Sequence, residues 1–221
     1  YFVRHGLEGH GFAYRRAGSA ASRITPATVP MEAIAEADVL HLSGITQAIS
    51  ESARAAARAA MEAARAAGTR ISYDTNLRLG LWPLEEARPA ILDALALADI
   101  VLPGRDDAAA LLGLSDPQKI VDDIRSRGPA IVALTLGKDG VLVATEAGTT
   151  HVPGMAVDAV DATGAGDCFD GAFLARLAAG DATVEAARYA AAAASLSTTG
   201  HGAVAPIPRP DAVRRALSQG Q

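Results

Sequence analysis

The sequence predicts an α/β fold in which a mostly parallel sheet is covered by helices on both faces. Three observations predict it. Between Val39 and Leu136, short apolar runs alternate with helical segments, the pattern of parallel strands joined by crossover helices. The 221 residues are 50% hydrophobic and 20% charged, enough for one domain with a sizeable core. Finally, Ser43, Asn76, Gly104 and Gly137 each follow an apolar run, and open α/β sheets bind ligands beyond the carboxyl ends of their strands.

The elements follow in order. Residues 1–4 and 12–16 are strand-like pieces around a turn rich in glycine (Gly6, Gly9, Gly11), read as a hairpin. The chain opens at Tyr1, without methionine and inside that first piece, so the true N-terminus is expected upstream. A loop with Pro26 and Pro30 leads to a helical turn over 31–36. Residues 39–42 read as a buried strand, with His41 as a core histidine. The strongest helix is 50–67: Ser50 can cap it, Glu51 complements its dipole, alanine dominates and Gly68 ends it. Residues 70–74 and 99–102 are strands, with a helix over 84–98 between them and Pro89 in its early turns. Helices over 106–112 and 117–127 follow, then strands over 130–136, 140–145 and 149–152. Gly137-Lys138-Asp139-Gly140 joins the first two of these as a tight turn. The apolar run 155–160 reads as one more strand. It leads to a helix over 168–179, where Phe169, Phe173, Leu174 and Leu177 recur at helical spacing. Helices over 183–197 and 210–218 complete the chain.

Composition narrows the function. The net charge of −5 leaves no basic surface for nucleic acid. Cys168 is the one cysteine, which argues against a disulfide framework or a cysteine-rich metal site and suits a reducing cytoplasm. No signal-peptide pattern and no charge-free apolar run of membrane-spanning length is read, so no membrane partner is expected.

The chemistry concentrates in Asp161-Ala162-Thr163-Gly164-Ala165-Gly166-Asp167. Gly164 and Gly166 sit where a helix begins. Unpaired N–H groups and the positive end of the helix dipole bind anions there, and glycine lets the backbone approach a phosphate closely. A carboxylate beside a bound phosphate repels it, so Asp167 reads instead as a base taking a proton from an attacking hydroxyl. The same residues also fit an ordinary helix start, because an acidic residue in the first turn complements the dipole. Neither the Gly-x-x-x-x-Gly-Lys-Ser/Thr loop nor the full dinucleotide fingerprint is present.

Extended to Cys168-Phe169-Asp170-Gly171, this stretch resembles the C-terminal signature of the ribokinase-like sugar kinases, also called the phosphofructokinase-B family. The resemblance covers most of the chain. It implies a ribokinase-like three-layer α/β/α core over residues 17–221, a single domain without the family's first strands. Residues 1–16 would be the remnant of a small β lid. It also implies Asp167 as catalytic base, an anion hole from the Gly164, Ala165 and Gly166 amides, and ATP with Mg²⁺. Lids in the family often pair between subunits, which implies a homodimer or higher homo-oligomer.

Three further stretches resemble the substrate half of 2-keto-3-deoxygluconate kinases: Tyr14-Arg15-Arg16-Ala17-Gly18-Ser19-Ala20, His41-Leu42-Ser43-Gly44-Ile45, and Asp74-Thr75-Asn76-Leu77-Arg78 running on to Leu81-Trp82. Either arginine taken alone also fits a solvated surface position. The resemblance assigns Arg16 and Arg78 to the carboxylate and keto end of a sugar acid, and Tyr14, Ile45 and Tyr1 to the sugar. Two guanidinium forks suit an anionic substrate rather than fructose or ribose.

On the nucleotide side, the resemblance assigns Thr135, Gly137 and Gly140 to ATP, and Gly202 to the loop beneath the adenine. By themselves these glycines equally suit a hairpin turn and a helix end. Backbone oxygens around Asp161 hold a monovalent cation such as K⁺ in some members. The family's Asn-x-x-Glu appears here as Gly104-Arg105-Asp106-Asp107. Asp107 alone keeps a carboxylate, which implies at most an indirect, water-mediated Mg²⁺ contact. Ala162 stands where the signature more often has Thr. Cys168, although at a helix start, reads as a structural thiol.

The implied activity is phosphorylation of 2-keto-3-deoxygluconate to its 6-phosphate. A fructokinase-like activity is the alternative within the family, and a non-catalytic, truncated binding module the alternative outside it.

Overall fold

The computed structural model of the chain describes residues 2–6, 9–13 and 16–219. Strands β1 (Phe2–Gly6) and β2 (Gly9–Ala13) pair antiparallel, with Phe2 opposite Ala13. The hairpin is thus present, its second strand earlier than expected. Helix α1 (Met31–Glu36) leads into β3 (Val39–Ser43), α2 (Gly44–Ala48), α3 (Glu51–Ala67) and β4 (Arg70–Asp74). Then come α4 (Leu84–Leu95), β5 (Ile100–Val101), α5 (Arg105–Leu112), α6 (Pro117–Ser126), β6 (Ile131–Thr135), β7 (Val141–Thr145) and β8 (Gly148–Val152). Helices α7 (Ala165–Ala178), α8 (Thr183–Ser197) and α9 (Pro210–Gln219) close the chain.

The main sheet has six strands in the order β3-β4-β5-β6-β7-β8. β3 to β6 are parallel, and β7 and β8 are antiparallel additions. Alternation along the strands sends side chains to two cores. Val101, Val132 and Leu134 face one way, against Met61 of α3, Ile91 of α4, Leu111 of α5 and Ile124 of α6. Ile100, Leu102 and Ala133 face the other, against Phe169 and Phe173 of α7 and the alanines of α8. This is the expected three-layer arrangement. The caps of α3 follow the sequence: Ser50 Oγ accepts from Ala53 N–H at 3.1 Å, and Gly68 ends the helix with φ +79°.

Two expectations are corrected. Residues 155–160 are not a strand. Beyond β8 the chain turns across the end of the β6–β7 hairpin, where Gly154 packs against Lys138 O. Val160 is 49% exposed, and its N–H donates to Thr198 O rather than to a strand. An apolar run without a sheet edge to join makes no strand. The second correction is α2, a helix where the sequence suggests only the end of a strand. A Cβ on Gly44 would lie 2.2 Å from Thr75 O, so glycine is what lets α2 start directly against the loop after β4.

Candidate functional site

The carboxyl ends of β3, β4, β5 and β6 and the start of α7 surround a cavity of about 590 Å³. The local sequence explains each wall. After β4, Leu77 and Trp82 are buried (5% and 4% exposed) and hold the intervening loop against the core, with the Arg54 guanidinium 5.0 Å above the Trp82 ring. Arg78 therefore emerges at the cavity. A bridge between Gly104 and Thr135 extends the β5–β6 pairing, bringing both residues to the lining.

The wall at α7 is set by backbone. Gly164 caps the helix with φ +79°, and a Cβ there would lie 2.8 Å from Ala203 Cβ. Asp161, 2% exposed, clips the turn together: Oδ1 accepts from Thr163 N–H at 2.9 Å and Thr163 Oγ1–H at 2.6 Å, and Oδ2 accepts from Gly202 N–H at 2.8 Å. The Ala165 N–H donates to Ala162 O at 3.1 Å. Among the described residues, the next amides, Gly166 and Asp167, have no helical acceptor.

Of the residues singled out in the sequence, Arg16, Ile45, Arg78, Asp107, Thr135, Gly164, Gly166 and Asp167 line this one cavity. Ala165, Gly137, Gly140 and Gly202 do not. The Ala165 amide is engaged within its own turn, which leaves the Gly166 and Asp167 amides without an acceptor among the described residues. Gly137 and Gly140 form the β6–β7 turn, where Leu136 N–H donates to Gly140 O at 2.8 Å. Gly202 serves the Asp161 clip. Tyr1 and Tyr14 lie outside the described residues.

Asp107 does not stand ready for a metal. Its Oδ2 accepts from Arg78 Nη1–H at 3.2 Å. Burial pushes its carboxyl up, and Arg78 pulls it back. Among the described residues no group of three His, Cys, Asp or Glu side chains could hold a metal ion.

Three groups at or near the site carry no role in the sequence reading. Asp170 lines the cavity at 5% exposure, and its carboxyl is pushed well above the usual range by burial, then by Asp74 and Asp167. The Asp74 carboxyl is pushed up to about 7, chiefly by burial, although its Oδ1 accepts from Asn76 N–H at 3.0 Å. Asp170 was findable: it lies three residues after Asp167, on the same helix face. His41 is not a core histidine, because its side chain is 37% exposed. Its Nδ1 shares a hydrogen bond with Ser72 Oγ at 3.1 Å, and Nε2 is 3.9 Å from Asp170 Oδ2. Burial lowers its pKa, against the pull of Asp167. Cys168 is half-buried and its thiol is pushed up by burial.

The model of the pfkB family carbohydrate kinases matches residues 8–210. The chain belongs to that family.

Among its relatives, the 2-dehydro-3-deoxygalactonokinase of Haloferax volcanii is 35% identical over 210 residues, covering 94% of this chain and 65% of that protein. The 2-dehydro-3-deoxygluconokinase of Thermoproteus tenax is 36% identical over 215 residues (95% and 65%), and fructokinase-2 of Zea mays 36% over 206 residues (89% and 61%). The chain thus spans less than two thirds of the length of these curated relatives. The crystal structure of a putative ribokinase II from E. coli in complex with ATP and Mg²⁺ superposes with a TM-score of 0.90 at 25% identity, over 98% of this chain and 70% of that one. No helix among the described residues is long and apolar enough to cross a membrane.

Proposed function

We propose that the protein transfers the γ-phosphoryl group of ATP to a hydroxyl of a sugar acid, with 2-keto-3-deoxygluconate and its 6-phosphate as substrate and product. One observation carries this reading. Two guanidinium groups, Arg16 and Arg78, line the same cavity as Asp167 and the start of α7. The two relatives whose names specify 2-dehydro-3-deoxy sugar acids support it.

In this reading Arg16 and Arg78 bind the carboxylate and keto end of the substrate and aim its far hydroxyl at Asp167. Asp167 takes the hydroxyl proton as the oxygen attacks. The Gly166 and Asp167 N–H groups, at the positive end of α7, face the charge on the transferring group. Thr135, which lines the cavity, meets the phosphates in this reading. ATP with Mg²⁺ supplies the phosphoryl group and neutralises its oxygens. The β1–β2 hairpin serves as part of a lid.

A second reading, phosphorylation of fructose, is favoured by the fructokinase among the relatives. It keeps Asp167 and discards the two-arginine clamp. The test is ADP release by the full-length polypeptide with Mg-ATP and 2-keto-3-deoxygluconate, set against fructose, ribose and gluconate. Turnover confined to the keto sugar acid is expected. Turnover with a neutral sugar instead would leave the base and remove the clamp. No turnover with any sugar would remove the kinase reading.

A further inference from the structure

We infer that Asp170 works as a neutral carboxylic acid beside the base, a positioning residue whose lack of charge keeps the start of α7 open to the transferring phosphoryl group. This rests on the reading of Asp167 as base and of the α7 start as the phosphate site, and deepens it. It holds for an acidic and a neutral sugar alike.

Placement comes first. Asp170 follows Asp167 by three residues in α7, so the two carboxyls share a helix face, with Cβ atoms about 5–6 Å apart. Asp170 is 5% exposed yet lines the cavity. Asp74, at the end of β4, lines the same cavity. From β3 comes His41, with Nε2 3.9 Å from Asp170 Oδ2, too long for a hydrogen bond. The His41 Nδ1 is shared with Ser72 Oγ at 3.1 Å. Asp170 is thus faced by Asp167 from its own helix, Asp74 from β4 and His41 from β3.

Those neighbours oppose a charge on Asp170. Ionised, it would be a nearly buried anion with two other carboxyls beside it. Burial, then Asp74 and Asp167, push its carboxyl well above the usual range. Burial also lowers His41, so at pH 7 and above the imidazole is neutral and offers no compensating charge. Two acids one turn apart are thereby set to different states by their surroundings: Asp167, exposed at the cavity, serves as the base, and Asp170 keeps its proton. The consequence is electrostatic. The N–H groups at the start of α7 favour anions through the positive end of the helix dipole. One carboxylate there is needed as the base. A second, one turn further in, would offset that field and repel the phosphates that ATP brings. As an uncharged acid, Asp170 fills the floor between α7, β3 and β4 and leaves the field intact.

The test combines a pH profile with a direct view of the proton, on the full-length polypeptide. kcat is measured from about pH 6 to about pH 10 with Mg-ATP and a sugar that the wild type turns over, for wild type and Asp170→Asn. Asparagine keeps the shape and has no proton to lose. Wild-type kcat is expected to fall at alkaline pH, as Asp170 ionises, by about tenfold or more. Asp170→Asn is expected to lack that fall, so its ratio of alkaline to neutral kcat rises by the same factor. Asp170→Ser, smaller and also uncharged, carries the same expectation should the amide disturb packing, and thermal unfolding checks the fold of both. Infrared spectra at neutral pH are expected to show a protonated-carboxyl stretch in wild type that Asp170→Asn has lost. Absence of that difference would overturn the inference, because Asp170 would then be ionised. So would folded but inactive Asn and Ser variants, which would mean that the carboxylate itself is required. No turnover by wild type with any sugar would remove the kinase reading and this inference with it. Turnover with the same alkaline fall in wild type and Asp170→Asn would remove this inference alone.

Discussion

The two walls of the cavity are built by different means. At the start of α7, backbone does the holding: a left-handed glycine, an amide bound to a turn carbonyl and a buried aspartate accepting two N–H groups and a hydroxyl. Across from it, the β4 and β5 ends present charged side chains held by local partners, Arg78 by Asp107 and Asp74 by the Asn76 N–H. A wall set by backbone offers N–H groups in one fixed geometry, suited to the part of a reaction common to every substrate. A wall set by long side chains can change its recognition with one substitution. In a family that includes kinases named for sugar acids and for fructose, the division falls where such variation would be least disruptive.

The sharpest way to break this comparison is at Asp167, which belongs to the rigid wall and, in the proposed reading, acts through its side chain. It is exposed at the cavity, so Asp167→Asn removes the proposed base without removing a packing contact. Turnover is expected to fall by about 10³-fold or more, with the melting temperature and ATP affinity held. Single-turnover ADP formation, alongside thermal unfolding and nucleotide titration, reads all three. Near-wild-type turnover would deny Asp167 its role.

The two glycines of the turn separate scaffold from site. Gly164→Ala places a Cβ at φ +79° and 2.8 Å from Ala203. It is expected to cost about 2 kcal/mol or more, seen as a melting temperature lower by roughly 4–8 °C. At Gly166 a Cβ would meet no protein atom within 4 Å, and the residue sits in the first helical turn. Gly166→Ala is expected to leave stability unharmed while lowering activity, because the methyl enters the space that the proposed reading gives to phosphate. Equal stability losses for both would mean that the turn is uniform scaffold.

The same contrast explains what the sequence disclosed. The α7 start was legible because its function lies in a contiguous stretch whose glycines have backbone reasons. The parallel core was legible because each strand is a short apolar run ending in a polar or glycine residue. The run 155–160 misleads because apolar character says nothing about whether a sheet edge is at hand. Asp107 reads in sequence as the remnant of a metal motif, because its partner Arg78 lies 29 positions earlier. Pairings of that kind appear only once two strand ends are side by side. Asp170 and His41 meet across the fold in the same way. His41 reads as a core residue because its strand is apolar, whereas β3 leaves its side chain partly open.

The last expected effect is spread over a pH range and concerns the carboxylates between the walls. Burial raises Asp74 to about 7 in the folded protein, against about 3.9 in an unfolded chain. The folded state therefore holds a proton that the unfolded state has released. Its contribution to stability is full below about pH 4, declines as pH rises toward 7 and is gone above that. Asp170, raised in the same direction, adds to the trend. Asp74→Asn keeps an oxygen able to accept from Asn76 N–H but has no proton to lose. Its melting temperature relative to wild type is expected to improve between pH 5 and pH 8, by about 2–4 °C for each kcal/mol of proton-linked stability. Parallel melting curves for the two proteins across that range would mean that Asp74 is ionised throughout, with enough cation nearby to keep it so. Arg78 would be the first candidate, and Asp107 would then hold it less firmly than the geometry indicates.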